Sequence, residues 1–197
     1  MNISDIRKEF PIFDDKIQNN DLVYLDSANS SQKPRVVVDR IYDFYTKEFS
    51  NVGRSVHYLA VAATNLYEQT RVSVQKYINA KDKDEIVFTK GATEAINLVA
   101  NTFGQKYLSE GDEVLLTELE HHSNYVPWHF LRKAKNIKIE FAEINNDGEV
   151  TLEAIEKKIT NKTKIISVSH LSNVTGAILP IKQIVQLAHS KNIPVLI

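Results

Sequence analysis

The chain has 197 residues, 43% hydrophobic and 25% charged, enough for one domain whose core buries about 70% of the surface its unfolded chain exposes. Its 24 basic and 25 acidic residues leave a formal net charge of −1, so no charge excess marks it as a binder of nucleic acid or of an anionic membrane. The absence of cysteine excludes disulfides, thiolate metal ligation and a cysteine nucleophile within these residues.

The start, from Met1 to Phe10, has no apolar signal core and reads as a short capped helix. No apolar run approaches membrane-spanning length, and the expectation is a cytoplasmic globular protein. Residues 1–20 are predicted as an amino-terminal helix and loop, and 21–197 as the main domain, with no repeat or Gly/Ser linker between them. Leu22–Leu25 reads as a short strand, followed by turn-forming residues from Asp26 to Ser31. Pro34 suits the first turn of a helix running toward Phe49. A second long helix follows Ser55, with Leu59, Ala63, Leu66, Thr70, Val74 and Tyr77 on one face.

Beyond Glu85 the period changes repeatedly. Strands are predicted at 86–88, 113–119, 137–144, 164–169 and 193–197, and helices at 94–105, 124–135, 151–159 and 181–191. Pro127 falls in the first turn of the second of these helices, and Asn146-Asp147-Gly148 reads as a turn. Strands alternating with helices of about a dozen residues argue for right-handed βαβ units. The fold class is therefore α/β, a mainly parallel sheet flanked by helices.

Three strands lead into polar segments at the ends where open α/β sheets bind their ligands. In the first, Gly91-Ala92-Thr93-Glu94 offers free N–H groups, a helix dipole and the Thr93 hydroxyl, a cradle for phosphate. Taken alone it equally reads as a glycine turn with Thr93 as helix cap. In the second, Glu120-His121-His122-Ser123-Asn124, a histidine ring can stack on an aromatic cofactor and move protons. A metal site is the poorer reading, because adjacent histidines diverge and no carboxylate stands at ligand spacing; loop histidines with Ser123 or Asn124 capping the next helix are the plainer one. In the third, running from His170 to Gly176, Asn173 can donate to a phenolate or carboxylate oxygen, or simply shape a turn.

Together these segments resemble the pyridoxal-phosphate-dependent class V aminotransferase fold, and within it the Suf-type cysteine desulfurases. The resemblance runs along almost the whole chain, through Tyr24-Leu25-Asp26-Ser27-Ala28, Gln32-Lys33-Pro34, Ile78-Asn79-Ala80, 91–101, Glu120-His121-His122, Val126-Pro127-Trp128 and 170–176. It implies an incomplete large domain of the fold type I class, with pyridoxal 5′-phosphate as cofactor. It further implies that Gly91, Ala92 and Thr93 hold the cofactor phosphate, that His121 stacks on the ring, and that Asn173 binds the phenolic oxygen. Glu120 and His122 would support them, and no metal is implied. Asn29, Arg54 and His57 would stand on the substrate side, at a subunit interface. There the family pattern Val-His-Arg-Gly-x-His is altered to Val52-Gly53-Arg54-Ser55-Val56-His57, and Asn29 replaces a small apolar residue.

The resemblance also names what these residues do not include: an aspartate after the last strand, the lysine that carries the cofactor in a Ser-x-His-Lys segment, a late cysteine and a substrate-binding arginine. The expectation is the amino-terminal part of an enzyme that moves sulfur from L-cysteine to a protein thiol, leaving alanine, for iron–sulfur cluster assembly. Alone it is expected to be inactive, partnered by a second copy, a complementing carboxyl-terminal chain or a sulfur acceptor. A non-catalytic interaction protein, or part of a related lyase or epimerase, are the alternatives. The last strand, expected to be central in the sheet, should leave an open apolar edge prone to association.

Overall fold

The Asn2 side chain accepts the Ser4 N–H and starts helix α1, Ile3–Lys8, in the computed structural model, which describes residues 2–197. Met1, the first residue of the expected amino-terminal helical segment, lies outside the described residues. The chain divides into two units, residues 2–88 and 89–197.

In the first unit, a 3₁₀ turn at Pro11–Asp14 precedes a small antiparallel hairpin of β1, Lys16–Ile17, and β2, Asn20–Asp21. Gln18 and Asn19 make its two-residue turn with φ of 52° and 65°, the left-handed pair that matches strand twist. The strand predicted at Leu22–Leu25 does not form: the segment is irregular, and Val23 and Leu25 are exposed. An apolar run becomes a strand only where a neighbour takes its backbone groups. Helix α2, Arg35–Asp43, follows Pro34 and ends in a π turn at Phe44–Glu48. Helix α3, Tyr58–Tyr77, is capped by His57. The strand predicted at 86–88 is also unladdered. Side chains of α3 hold it instead: the Arg71 guanidinium donates to the Ile86 carbonyl and lies 5.2 Å from the Phe88 ring centre.

In the second unit, helix α4, Ala92–Val99, continues through a π turn at Ala100–Gly104 into α5, Gln105–Tyr107. Then strands and helices alternate: β3 (Glu113–Thr117), α6 (His122–Lys135), β4 (Lys138–Ala142), α7 (Leu152–Lys158), β5 (Thr163–Ser167), α8 (Ile181–Ser190) and β6 (Val195–Leu196). Pro127 lies in the second turn of α6, because that helix begins two residues earlier than its sequence pattern implies. The sheet has the order β4-β3-β5-β6, with every pairing parallel.

Alternation along the strands splits the core into two layers. Leu115 and Ile166 face one cluster with Ile155 of α7 and Ile184 and Ala188 of α8. Val114, Leu116 and Ile165 face the other, with Ala100, Leu108, and Trp128 and Leu131 of α6. Strand β3 is buried throughout, which is why it reads as a continuous apolar run and not an alternating one. The last strand leaves the open edge expected of it but is shorter than the predicted 193–197. It is two residues long and forms an edge, pairing only with β5 among the described residues.

Candidate active site

The strand order changes direction at β3, whose successor β4 lies on one side and β5 on the other. That reversal is where open α/β sheets form a ligand crevice. The ladders show the opening. Pairing of β3 with β4 continues to Thr117↔Ala142, whereas pairing of β3 with β5 stops at Leu115↔Ile166. Beyond that point β3 and β5 part, and the segments carrying His121 and Asn173 leave from their ends.

Side chains bridge the gap that the ladder leaves. The Glu120 carboxylate accepts from the Thr117 hydroxyl at 2.7 Å and from the Asn124 amide at 2.7 Å. It also accepts the Ser169 N–H, 3.0 Å from each oxygen, and the Ser169 hydroxyl at 2.8 Å. Asn124 in turn accepts, through Oδ1, the Ser167 hydroxyl at 2.5 Å and the Trp128 indole N–H at 3.2 Å. Asn124 and Ser167 are buried, and Glu120 and Ser169 half-buried. The sequence pattern marks Asn124 only as a candidate helix cap and does not single out Thr117, Ser167 or Ser169. The signal was a hydroxyl residue directly after each of two buried apolar stretches, Thr117 after 114–116 and Ser167 after 165–166.

His121 is exposed and serves as the cap of α6, a role the sequence assigned to Ser123 or Asn124. Its Nδ1 accepts the Ser123 N–H at 3.1 Å. With Nδ1 accepting, the neutral ring carries its proton on Nε2. His122 is also exposed, its ring centre 6.1 Å from that of His121 at an interplanar angle of 73°. Asn173 is exposed on a loop from His170 to Leu179. That loop is closed by Leu179 N–H to the His170 carbonyl at 2.9 Å and by the Ser172 hydroxyl, which accepts from the Val174 and Thr175 N–H groups. The Asn173 amide has no hydrogen-bond partner among the described residues.

Gly91, not Thr93, caps α4, and it supplies no side-chain cap bond. Its carbonyl accepts the Ala95 N–H at 3.1 Å, leaving the Ala92, Thr93 and Glu94 N–H groups outside the helical ladder, at the positive end of the dipole. Glu94 turns its carboxylate back to the Lys90 N–H at 2.5 Å. Helix α4 packs against α6, the helix that His121 caps.

Asn29, Arg54 and His57 belong to the first unit. The Asn29 amide donates to Asp26 at 3.3 Å within its turn. Arg54 is exposed, and the His57 Nδ1 caps α3 by accepting the Ala60 N–H at 3.4 Å. Gly53, where the family pattern has a histidine, has φ of +125°, a backbone that side chains rarely adopt. Among the described residues no group of three or more His, Cys, Asp or Glu side chains is placed to hold a metal ion, and no helix is long and apolar enough to cross a membrane. A cavity lined by Thr160, Asn161, Lys164, Lys191 and Asn192 lies at the amino-terminal ends of β5 and β6, away from these groups.

A parallel sheet whose strand order reverses at β3, flanked by helices, places the chain in the α/β class. The model of the class V aminotransferases matches residues 23–197, and the chain belongs to that family. It is 44% identical over 189 residues to a probable cysteine desulfurase of Halalkalibacterium halodurans, covering 96% of this chain and 47% of the relative. It is 40% identical to a cysteine desulfurase of Synechococcus elongatus, covering 99% of this chain and 31% of that one. The apo cysteine desulfurase of Thermococcus onnurineus superposes with a TM-score of 0.87 at 35% identity, over 98% of this chain and 46% of that structure. The S-sulfonic acid form of the Escherichia coli cysteine desulfurase CsdA gives 0.83 at 33% identity, over 99% and 48%. The chain thus spans less than half the length of each of these relatives.

Proposed function

We propose that this chain supplies the phosphate-, ring- and oxygen-holding part of a pyridoxal-phosphate-dependent cysteine desulfurase, which takes sulfur from L-cysteine and leaves L-alanine. The observation that carries the reading is the parting of β3 and β5 at the crevice, with the segments of His121 and Asn173 leaving from its two sides.

The residues present fit such a cofactor. Gly91 leaves the first N–H groups of α4 free, and the exposed Thr93 hydroxyl adds a donor, a combination suited to a phosphate dianion. His121 is fixed through Nδ1, so one flat face and the Nε2–H stay available for stacking and proton transfer. Asn173 presents an unpaired amide suited to a phenolate oxygen. When bound, the cofactor supplies an electron sink for bond breaking at an amino acid. The sulfur leaves L-cysteine by attack of a thiolate. With no cysteine in the 197 residues, that thiol, like the lysine that carries the cofactor in the family, lies outside these residues. A second copy, a complementing chain and a sulfur acceptor serving iron–sulfur assembly in the cytoplasm are the partners this reading calls for. Asn29, Arg54 and His57 serve its substrate side.

Purified chain incubated with pyridoxal phosphate, L-cysteine and a thiol reductant is expected to release no more sulfide or alanine than a protein-free control. It should nonetheless bind pyridoxal phosphate, seen as an induced circular dichroism band, and Thr93→Ala should weaken that binding about tenfold, as loss of a hydrogen bond to a charged group does. Sulfide release by the chain alone would overturn the division of labour.

A second reading, a non-catalytic interaction protein, draws on the exposed apolar side chains of α2 and its π turn, among them Val36, Ile41, Tyr42 and Tyr45. Absence of any cofactor signal, with self-association or partner binding retained, would favour it.

A further inference from the structure

We infer that Glu120 is a positioning residue, whose carboxylate takes over from the missing β3–β5 ladder and sets the placement of the His121 and Asn173 segments relative to each other. The inference concerns this chain's own loops, and it rests on the proposed function only for the claim that those loops hold a cofactor.

After Leu115↔Ile166 no backbone bond joins β3 to β5, yet Glu120 and Ser169, 49 residues apart, meet through both carboxylate oxygens. A carboxylate is acceptor-only, with room for about four donors. The groups around Glu120 are donors from each side of the crevice: Thr117 from β3, Asn124 from α6, and the N–H and hydroxyl of Ser169 from the segment after β5. Asn124 is turned so that Nδ2 gives to Glu120 while Oδ1 receives Ser167 and Trp128, so its orientation is fixed from both ends. His121 is the next residue after this anchor, and Asn173 lies four residues beyond Ser169. No cation pairs with the Glu120 carboxylate among the described residues; its neutral donors give it direction in place of charge compensation.

Glu120→Gln tests this with little change in volume. The amide keeps one acceptor oxygen, and because the Ser169 N–H faces both carboxylate oxygens, the new donor meets that N–H, which cannot accept, whichever way the amide turns. The expected result, by NMR on the full chain without cofactor, is at least about tenfold faster hydrogen exchange at the Ser169 amide, with the Leu115 amide unchanged. Shifts should also appear in the His121 ring and the Asn173 side-chain amide signals. With pyridoxal phosphate added, the induced circular dichroism band of the wild-type chain should change shape or vanish in the variant, which a merely structural role would not produce. Unchanged Ser169 exchange together with unchanged His121 and Asn173 signals would overturn the inference. Loop signals that move while neither protein binds pyridoxal phosphate would uphold it and reject the cofactor reading instead. If Glu120→Gln does not fold, Ser169→Ala removes one bond of the same bridge and should shift the His121 ring; no shift there would overturn the inference as well.

Discussion

Gly104 closes the π turn at a point where α6 leaves no room for a side chain. A Cβ there would meet Leu131 Cδ2 at 2.5 Å, with Trp128 and Leu108 carbons at 3.6 and 3.7 Å. Leu131 is 3% exposed and Trp128 fully buried, so the leucine has no free direction in which to swing. Gly104→Ala gains about 1 kcal/mol of helix propensity, while overpacking a dense core costs about 1–3 kcal/mol. The expected outcome is a net loss near 1 kcal/mol in urea denaturation; a gain in stability would show that Leu131 repacks without strain. His121 illustrates the other use of single residues in this fold. One ring nitrogen caps α6 while the face of the ring stays exposed, so structure and the proposed chemistry draw on different atoms of one side chain.

At the scale of elements, α7 shows how a short helix is held at both ends. Thr151 Oγ1 accepts the Ala154 N–H at 3.2 Å, and Lys158 in the last turn pairs with Glu143 at 2.9 Å. The hydrogen bond and charge of Lys158 hold the Glu143 carboxyl below the usual carboxylate range. Because the folded value is the lower one, that contribution is present above the ordinary carboxylate pKa and fades as pH falls through the lowered one. The pair is exposed, so salt screens it and it adds little. The cap matters more: Thr151→Ala should cost about 1 kcal/mol, read as a lower urea midpoint with unchanged slope; no change would mean that water satisfies the Ala154 amide equally well. The elements legible in the sequence are those whose partners are supplied by the pattern itself. Buried parallel strands such as β3 and β5 announce themselves as apolar runs, and the helices between them by period and caps. Leu22–Leu25 and Ile86–Phe88 carry the same local signal, but whether a ladder forms depends on a neighbour that composition does not encode. The polar segments at 91–94, 120–124 and 170–176 were equally visible, and the resemblance they carry led to the family. What lay beyond reach was the Glu120–Ser169 bridge, since a contact across 49 residues leaves no local trace.

For the molecule as a whole, the sheet's two edges differ in how they meet solvent. Strand β4 carries Lys138 and Glu140 among its residues, and charges along an edge discourage pairing with another chain. Strand β6 has no such guard. Val195 and Leu196 are half-buried, Ile197 is 60% exposed, and the run from Ile193 to Ile197 contains no charged residue. The backbone groups that do pair, Pro194 and Leu196 carbonyls accepting from Ile166 and Val168, face β5, so the intervening Val195 N–H and carbonyl face outward, as strand alternation requires. An unpaired apolar edge of this kind is a template for a second strand. The chain alone should therefore associate as its concentration rises, seen as a growing fraction of larger species in sedimentation velocity. Ile197→Lys, which adds a charge at an exposed position without touching the core, should reduce that fraction while leaving the urea midpoint unchanged. Persistence of the same association in the variant would move its origin to the exposed apolar face of α2, and a wild-type chain monomeric at every concentration would show that the β6 edge is protected by its shortness alone.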